Sequence, residues 1–288
     1  MKRVTGYIKT TILLAFLTSF VLGIGYLLGG TGGMQLALVF ALVMNGAMYW
    51  FSDSIVLKMA GASPMNQAQH PEIVTMTKAL SKKMGIPMPK LFISQDQTPN
   101  AFATGRSPSK GVVCVTQGLL SNLEMPEIEA VVAHELAHIK NYDTLISTVA
   151  SVFSGAIASI ADMAFWGSIF GGGQRDEENS SPLSGITSIL MLILAPIMAS
   201  MIQFAISRAR EFEADKTAAE TTRRPRNLAS ALLKIEQIAR GSYEAQAPAV
   251  AALSIYSNLK GEGVMSLFST HPPTAQRVKR LEGMRFGI

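Results

Sequence analysis

The sequence predicts a mainly α, integral membrane protein in which an α+β domain with a small β-sheet is attached to four transmembrane helices. Two features of composition favour this class: 48% of the 288 residues are hydrophobic, and only 16% are charged. The third observation is that four apolar runs approach the length of about 20 residues that a helix needs to cross a bilayer. These runs are residues 8–28, 36–57, 146–170 and 186–206.

The four runs define the expected domain organisation. Residues 1–57 form a predicted N-terminal transmembrane hairpin, and residues 146–206 form a second hairpin. Residues 58–145 and 207–288 are expected to supply the two halves of one soluble domain. The first run is long for the apolar region of a signal peptide and has no convincing small-residue cleavage site, so we expect an uncleaved anchor.

Lysine and arginine are distributed unevenly among the segments between these runs. With Lys9 and Lys58 counted at the borders of the runs, three lie before the first run, none separates the first two, eight lie in residues 58–140, one separates the last two, and thirteen follow the fourth. Because positive charge is retained on the cytoplasmic side of a membrane, this asymmetry places both termini and the middle segment in the cytoplasm.

Cysteine usage and charge patterning further limit the class of protein and its partners. The single cysteine, Cys114, cannot form an internal disulfide, and its place in an alternating strand pattern predicts a buried, unreactive thiol. The sequence has no basic stripe with interleaved aromatic residues, so we expect the lipid bilayer and not nucleic acid as a partner.

The first soluble segment is predicted to contain one helix followed by short strands. His70, expected at the surface, and Pro71 precede apolar residues at helical spacing, and Gly85 ends the helix. The apolar positions are Ile73, Met76, Leu80 and Met84. Residues 90–93 and 111–116 have the composition of short strands.

Between these strands lies the segment Asn100-Ala-Phe-Ala-Thr-Gly105, whose small side chains could expose a strand edge. An extended peptide substrate can hydrogen-bond to such an edge with little dependence on its own side chains. The candidate substrate-binding residues are Asn100, Ala101, Phe102 and Ala103. An ordinary hairpin arm explains the pattern equally well, and Arg106 would meet a substrate carbonyl or face water.

Three polar residues fall within the apolar runs. Asp162 is near the middle of the third run, and Asn45 and Asp53 are in the second. We expect each to pack against another helix or a polar crevice. A substrate or proton path is the alternative for Asp162.

The residues that suggest chemistry are those of the H-E-x-x-H motif formed by His134, Glu135 and His138. Pro126 and two glutamates precede the motif, and no Gly or Pro interrupts residues 127–140, which favours a helix. Histidines four residues apart share one helix face and can bind one zinc ion. Glu135 would then lie beside the ion, where it can act as a general base towards water.

A catalytic zinc site needs a third protein ligand, for which Glu211 is the candidate. Asp215 lies one helical turn further on and could accept the free ring N–H of a ligand histidine, most plausibly His134. Without the upstream motif, these two acids would be interpreted as a solvated helix face.

The motifs together resemble the HtpX heat-shock proteases of bacterial inner membranes, distant relatives of the CaaX prenyl endoproteases. The resemblance rests on H-E-L-A-H followed by Asp143, a hydrophobic hairpin, S-R-x-R-E-x-x-A-D from Ser207, the segment from Asn100 to Gly105, and His271-Pro-Pro. It implies a gluzincin-like zinc endopeptidase of membrane-protein quality control and stress response. His134, His138 and Glu211 would be ligands, and Glu135 the base.

His271 is a further candidate because it precedes two prolines and a basic helix. Near a metal, its imidazole could stabilise the oxyanion of the reaction or occupy the open metal position at rest. A loop histidine without catalytic function is the alternative.

These expectations give a membrane-anchored zinc endopeptidase that cleaves cytoplasmic segments of misfolded, surplus or unfolded membrane proteins. Three alternatives stay open: an intramembrane protease, a CaaX-type prenyl-protein endoprotease, and a non-catalytic membrane scaffold with a metal site. The scaffold is disfavoured because structural zinc sites are usually closed by four ligands rich in cysteine. Two histidines and one carboxylate also accept divalent ions other than zinc.

Overall fold

The structure is a computed structural model that describes residues 2–152, 208–241, 255 and 272–286. The sequence predictions for His271 and Asp162 lie outside these ranges, as does the fourth apolar run. In the described ranges helices predominate, and one sheet of four short strands is present.

Helix α1 (Lys2–Met59) is broken at Gly29 and Gly30, where the backbone leaves helical geometry and Gly30 has a φ of 58°. The two arms contact each other on either side of this break. Asn45 Nδ2 donates a hydrogen bond to Thr18 Oγ1 at 2.8 Å, which satisfies the amide within the apolar surroundings. A Cβ at Gly25 would lie 2.5 Å from the Ala37 Cβ, so the close approach of the arms requires glycine there.

Only part of the membrane prediction can be compared with the structure. Among the described residues, one helix, Gly29–Met59, is long and apolar enough to cross a bilayer, and Thr10–Gly23 is a shorter apolar helix. The third run is described only as far as residue 152. Four transmembrane helices therefore stay a prediction.

The sheet contains β1 (Ala62–Pro64), β2 (Lys90–Ser94), β3 (Ala101–Thr104) and β4 (Val112–Thr116), in the order β1-β2-β4-β3. Strands β2 and β4 are parallel, and the two outer strands are antiparallel to their neighbours. The segment that sequence left open as a strand edge or a hairpin arm is thus the edge strand β3. Strand β1 was not predicted, because three residues that include a proline show no alternation.

The described residues contain seven further α-helices. They are α2 (Pro71–Met84), α3 (Gln117–Asn122), α4 (Met125–Asn141), α5 (residues 144–152), α6 (Arg208–Thr222), α7 (Pro225–Gly241) and α8 (Thr274–Glu282). As predicted, α2 begins at a proline and ends at Gly85 in the left-handed conformation. A capping box between Glu124 and Glu127 starts α4, and Tyr142, with a φ of 62°, ends it.

Helix α4 is at the centre of the soluble domain, because the sheet, α2, α6 and α7 all pack against it. On one face of the sheet, Val113 and Val115 join the α4 core. On the other face, Phe102 and Cys114 pack with Val56 near the end of α1. Burial raises the pKa of the Cys114 thiol to about 12, in agreement with the predicted unreactive core cysteine.

A separate apolar cluster connects α4 to the membrane helices. Leu13 and Leu17 on the first arm of α1 pack against Leu145, Ile146 and Val149 of α5. Because α5 starts three residues after the end of α4, this cluster fixes the end of α4 beside the apolar helices.

Candidate metal centre

Helix α4 presents the two motif histidines from consecutive turns of one face. The Nε2 atoms of His134 and His138 are 3.1 Å apart, and their rings are nearly perpendicular, with an interplanar angle of 87°. Helix α6 packs across α4 and brings Glu211 to the same point. Its Oε2 lies 3.6 Å from His134 Nε2, and its Oε1 lies 3.4 Å from His138 Nε2.

These three distances fit one small divalent ion. Ligands about 2.0 to 2.1 Å from a tetrahedral zinc lie about 3.3 to 3.4 Å from one another. The observed separations of 3.1, 3.4 and 3.6 Å bracket that edge length. The residue types fit as well, since a borderline-soft ion accepts imidazole nitrogen and carboxylate oxygen. His134, His138 and Glu211 could therefore hold a zinc ion.

The three side chains differ in their access to solvent. His134 and Glu211 are 1% and 3% exposed, whereas the side chain of His138 is 15% exposed. The cluster is thus closed on the side of the core and accessible beside His138, as a site that admits a substrate requires.

Behind His134 lies a buried pair of opposite charges. His134 Nδ1 is 3.0 Å from Asp215 Oδ1, and the guanidinium of Arg277 binds both oxygens of that carboxylate. Arg277 Nη1 also donates to the Ile255 carbonyl at 2.8 Å. The contact between Asp215 and a ligand histidine leaves His134 Nε2 directed at the metal position.

Arg277 belongs to the basic helix that follows His271 in the sequence, yet it is 1% exposed. A signal for its burial was present in the spacing of α8. Thr274, Val278 and Leu281 share its face, and all three are buried. A cation within an otherwise apolar or small face indicates a buried partner, which here is Asp215.

His138 has a weaker arrangement of the same kind. Its Nδ1 lies 3.4 Å from Asp143 Oδ2, and Asp143 Oδ1 lies 3.6 Å from Arg210 Nη1. Each candidate ligand histidine thus contacts an aspartate, and each of these aspartates contacts an arginine. Sequence reasoning assigned no chemistry to Asp143, which the structure places against the imidazole.

The charges set the protonation of this cluster. Burial by itself would raise the pKa of Asp215, but the Coulombic attraction of Arg277 and the hydrogen bond from His134 hold it at about 2. Burial would lower the pKa of His134, but its contacts with Asp215 and Glu211 raise it to about 9. The two carboxylates therefore favour the protonated form of this imidazole.

Comparison with known proteins identifies the family to which most of the chain belongs. Residues 67–285 match Peptidase family M48. The chain belongs to this family. It is 48% identical over 281 residues to the "Protease HtpX homolog" of Pyrococcus abyssi, an alignment that covers 96% of this chain and 94% of that protein. The protease HtpX of Legionella pneumophila strain Philadelphia 1 is 47% identical over 280 residues, with 96% and 98% covered.

A solved structure shows the same fold at lower identity. The crystal structure of S. mikatae Ste24p aligns with a TM-score of 0.53 and 18% identity, and the alignment covers 98% of this chain and 66% of that one. These comparisons establish the chain as a membrane metalloprotease of the M48 family, as the motifs predicted.

In this M48 chain, Glu135 follows the first motif histidine and is 5% exposed. Burial raises the pKa of its carboxyl, and the neighbouring charges of His134 and His138 act in the opposite direction. Within the described part of the chain its carboxylate makes no hydrogen bond or ion pair. It is therefore available to exchange a proton with a small molecule in the site.

The candidate substrate-binding residues lie at the sheet edge beside this centre. Ala101, Phe102 and Ala103 are buried, and β3 packs against α4. Asn100 is buried too, and its Oδ1 accepts a hydrogen bond from the Ile255 N–H at 3.2 Å. Residue 255 thus joins Asn100 to Arg277, which binds its carbonyl.

Proposed function

We propose that the chain is a membrane-anchored zinc endopeptidase that cleaves cytoplasmic segments of misfolded or surplus membrane proteins. One observation carries this proposal: three ligand atoms from two helices lie at tetrahedral spacing beside Glu135, whose carboxylate has no hydrogen bond or ion pair among the described residues. His134, His138 and Glu211 would hold the ion, and Asp215 would orient His134.

The proposed reaction is hydrolysis of a peptide bond by water. A bound zinc ion supplies Lewis acidity, which lowers the pKa of water to about 7 and polarises the scissile carbonyl. Glu135 takes the proton from the attacking water and passes it to the nitrogen of the leaving amine. Burial raises the pKa of the Glu135 carboxyl, which makes it a stronger base towards the attacking water than an exposed glutamate is.

Strand β3 is the proposed binding surface for the polypeptide. Among the described strands it pairs with β4 on one side only, so an extended substrate could add to its other edge through residues 101–103. Main-chain pairing of this kind tolerates many substrate sequences, which suits an enzyme that removes damaged proteins. His271 is proposed to stabilise the oxyanion from the segment before α8.

The membrane location of the site supports the choice of substrate. Ile146, which packs against the apolar first arm of α1, is eight positions after His138. Only a short turn at Tyr142 separates the two helices, so the centre is held close to the apolar helices. The charge asymmetry of the sequence favours the cytoplasmic side of a bacterial inner membrane, in a chain of several spans.

Mapping of cleavage sites tests this proposal. The purified chain is reconstituted with a multispanning membrane protein, and the products are sequenced by mass spectrometry, with Glu135→Gln as the matched control. We expect cuts in cytoplasmic loops and tails, and none with the control. Cuts that fall consistently in mid-span would contradict the proposal, as would exclusive cleavage of a farnesylated CaaX peptide.

A further inference from the structure

A cavity lies where the soluble domain meets α1, and none of the metal-centre residues lines it. Its volume is about 630 Å³, within the range of about 300 to 1,000 Å³ that is typical of small-molecule sites. Its walls come from Tyr49 on α1, Met84 and Ile86 at the end of α2, the segment 106–109, and Lys140 on α4.

The charges that line this cavity have one sign. Arg106 and Lys140 contribute two cations, and no carboxylate is among the lining residues. Within the part of the chain that the structure describes, neither cation forms an ion pair. Ser107 and Ser109 add hydroxyl groups beside them. Two uncompensated cations and nearby hydroxyls constitute a binding site for an anion with several oxygen atoms.

The depth of the cavity relative to a bilayer follows from α1. Its second arm carries large apolar side chains that are mostly exposed, from Leu36 at 76% to Phe51 at 59%. After Phe51 this arm changes from lipid-exposed to packed against the soluble domain, since Ser52, Val56 and Leu57 are buried, the last two beside the sheet. Tyr49 and Trp50 are the aromatic residues at this transition, and such residues are enriched at the boundary with the headgroups. The cavity that Tyr49 lines is at headgroup level.

Arg106 is fixed at this level by the aromatic side chains. The centre of its guanidinium lies 4.2 Å from the centroid of the Trp50 ring and 6.0 Å from that of Tyr49. Stacking occupies a face of the guanidinium and leaves the N–H groups at its edge free. That edge binds two oxygens of a phosphate at once, which a lysine cannot do.

We propose that this cavity binds the phosphate of an anionic glycerophospholipid. Arg106 binds two phosphate oxygens, Lys140 supplies the second charge, and Ser107 donates to the headgroup. The apolar wall formed by Met84 and Ile86 faces the glycerol ester region, and the acyl chains run along the exposed side of α1. A free phosphate ester offers the same oxygens, but it would not use the apolar wall or the position beside a lipid-facing helix.

Native mass spectrometry of the full-length protein tests the proposal. The protein is reconstituted into nanodiscs of phosphatidylcholine with a minor fraction of phosphatidylglycerol, and the lipids retained after release are counted. We expect the wild type to retain phosphatidylglycerol preferentially. Arg106→Gln/Lys140→Gln should lower this retention by roughly tenfold or more, since each basic residue near an anionic surface contributes. Lys78→Gln/Lys90→Gln, an equal charge change at exposed positions, should not.

Two results would overturn the proposal. One is equal retention of phosphatidylglycerol by the cavity variant and the control variant. The other is selective binding of inorganic phosphate or glycerol 3-phosphate by delipidated protein without preference for the anionic lipid, which would assign the cavity to a soluble ligand. Arg106→Lys is a milder variant in case the double one fails to fold; because it keeps the charge but loses the planar edge, its retention should be intermediate.

Discussion

Arg277 binds Asp215 in a two-point contact in which Nε donates to Oδ2 at 2.9 Å and Nη2 donates to Oδ1 at 2.6 Å. Both side chains are almost completely buried. Asp215 in turn contacts His134 Nδ1, and Nη2 of the arginine lies 3.4 Å from the same nitrogen, so Arg277 fixes the orientation of a candidate metal ligand. The geometry of the metal centre therefore depends on a helix near the end of the chain.

Replacement of that arginine by lysine should weaken metal binding while leaving the total charge unchanged. Lysine cannot reproduce the planar two-point contact, so Asp215 and His134 would lose their fixed positions. We expect zinc affinity, measured by competition with a chromophoric chelator, to fall by roughly 10-fold to 100-fold in Arg277→Lys.

Arg280 offers a matched control on the same helix. It is exposed, and its guanidinium lies 3.8 Å from the centroid of the Phe212 ring on α6. Arg280→Lys should bind zinc as the wild type does. Equal zinc affinities for the two variants would show that Arg277 has no part in orienting the ligands.

Replacement of Asp143 should also lower zinc affinity, but by less, because Asp143 contacts the other candidate ligand histidine, His138. Its contact with the ring nitrogen is longer, at 3.4 Å, and its own partner Arg210 is 3.6 Å away. We expect Asp143→Asn to lower zinc affinity by about tenfold, less than Asp215→Asn does. The same competition titration decides the order, and a reversed order would contradict this account of the two aspartates.

Glu127 should make the stability of α4 depend on pH. Burial raises the pKa of its carboxyl, but hydrogen bonds from Lys234 and Ser230 outweigh this, so the net pKa is lowered. A lowered pKa in the folded state stabilises the fold above the ordinary glutamate value, and this contribution is lost as the pH falls through the folded-state pKa.

The variant Glu127→Gln should therefore unfold at a lower temperature than the wild type at pH 7, by a few degrees for a loss of about 1 kcal/mol. The difference should shrink as the pH is lowered below about 4. Thermal unfolding of the wild type and of Glu127→Gln in detergent measures this difference in unfolding temperature. A difference that is constant from pH 7 to pH 3 would mean that the charge of Glu127 contributes nothing.

Buried threonines connect the proposed substrate strand to α5. Thr104 and Thr148 share a hydrogen bond of 2.9 Å between hydroxyl groups, and Thr144 donates to the Gly105 carbonyl at 2.6 Å. We expect Thr148→Val to destabilise the protein by about 1 to 2 kcal/mol, because it deprives Thr104 of that partner. The double variant Thr104→Val/Thr148→Val should lose less than the sum of the two single losses in thermal unfolding. Additive losses would show that the hydroxyl groups are not coupled.

The parts of the fold that were predictable are those with local signals. Pro71 and Gly85 bounded α2, and the alternation around Cys114 indicated a buried strand. Strand β1 had no such signal, since its three residues are held only by pairing with β2.

In the candidate site too, residues that a local sequence pattern specifies could be predicted, whereas those that depend on tertiary packing could not. His134, His138 and Glu211 follow from helical spacing within two segments, and the structure brings them together. The spacing of α8 carried a signal for the burial of Arg277 but not for its partner, because Asp215 is 62 residues away and nothing local specifies the packing of α8 on α6. The cavity beside Arg106 was missed for the same reason, since four separate elements form it.

Metal content and cleavage, measured on the same chelator-stripped and zinc-reloaded samples, test the central claim most directly. The wild type should bind one zinc ion per chain and cleave a polypeptide substrate. Glu135→Gln should bind zinc equally but not cleave, and Glu211→Ala should lose tight zinc binding and activity together. A Glu211→Ala protein that still binds zinc tightly and cleaves would contradict the assignment of the metal centre.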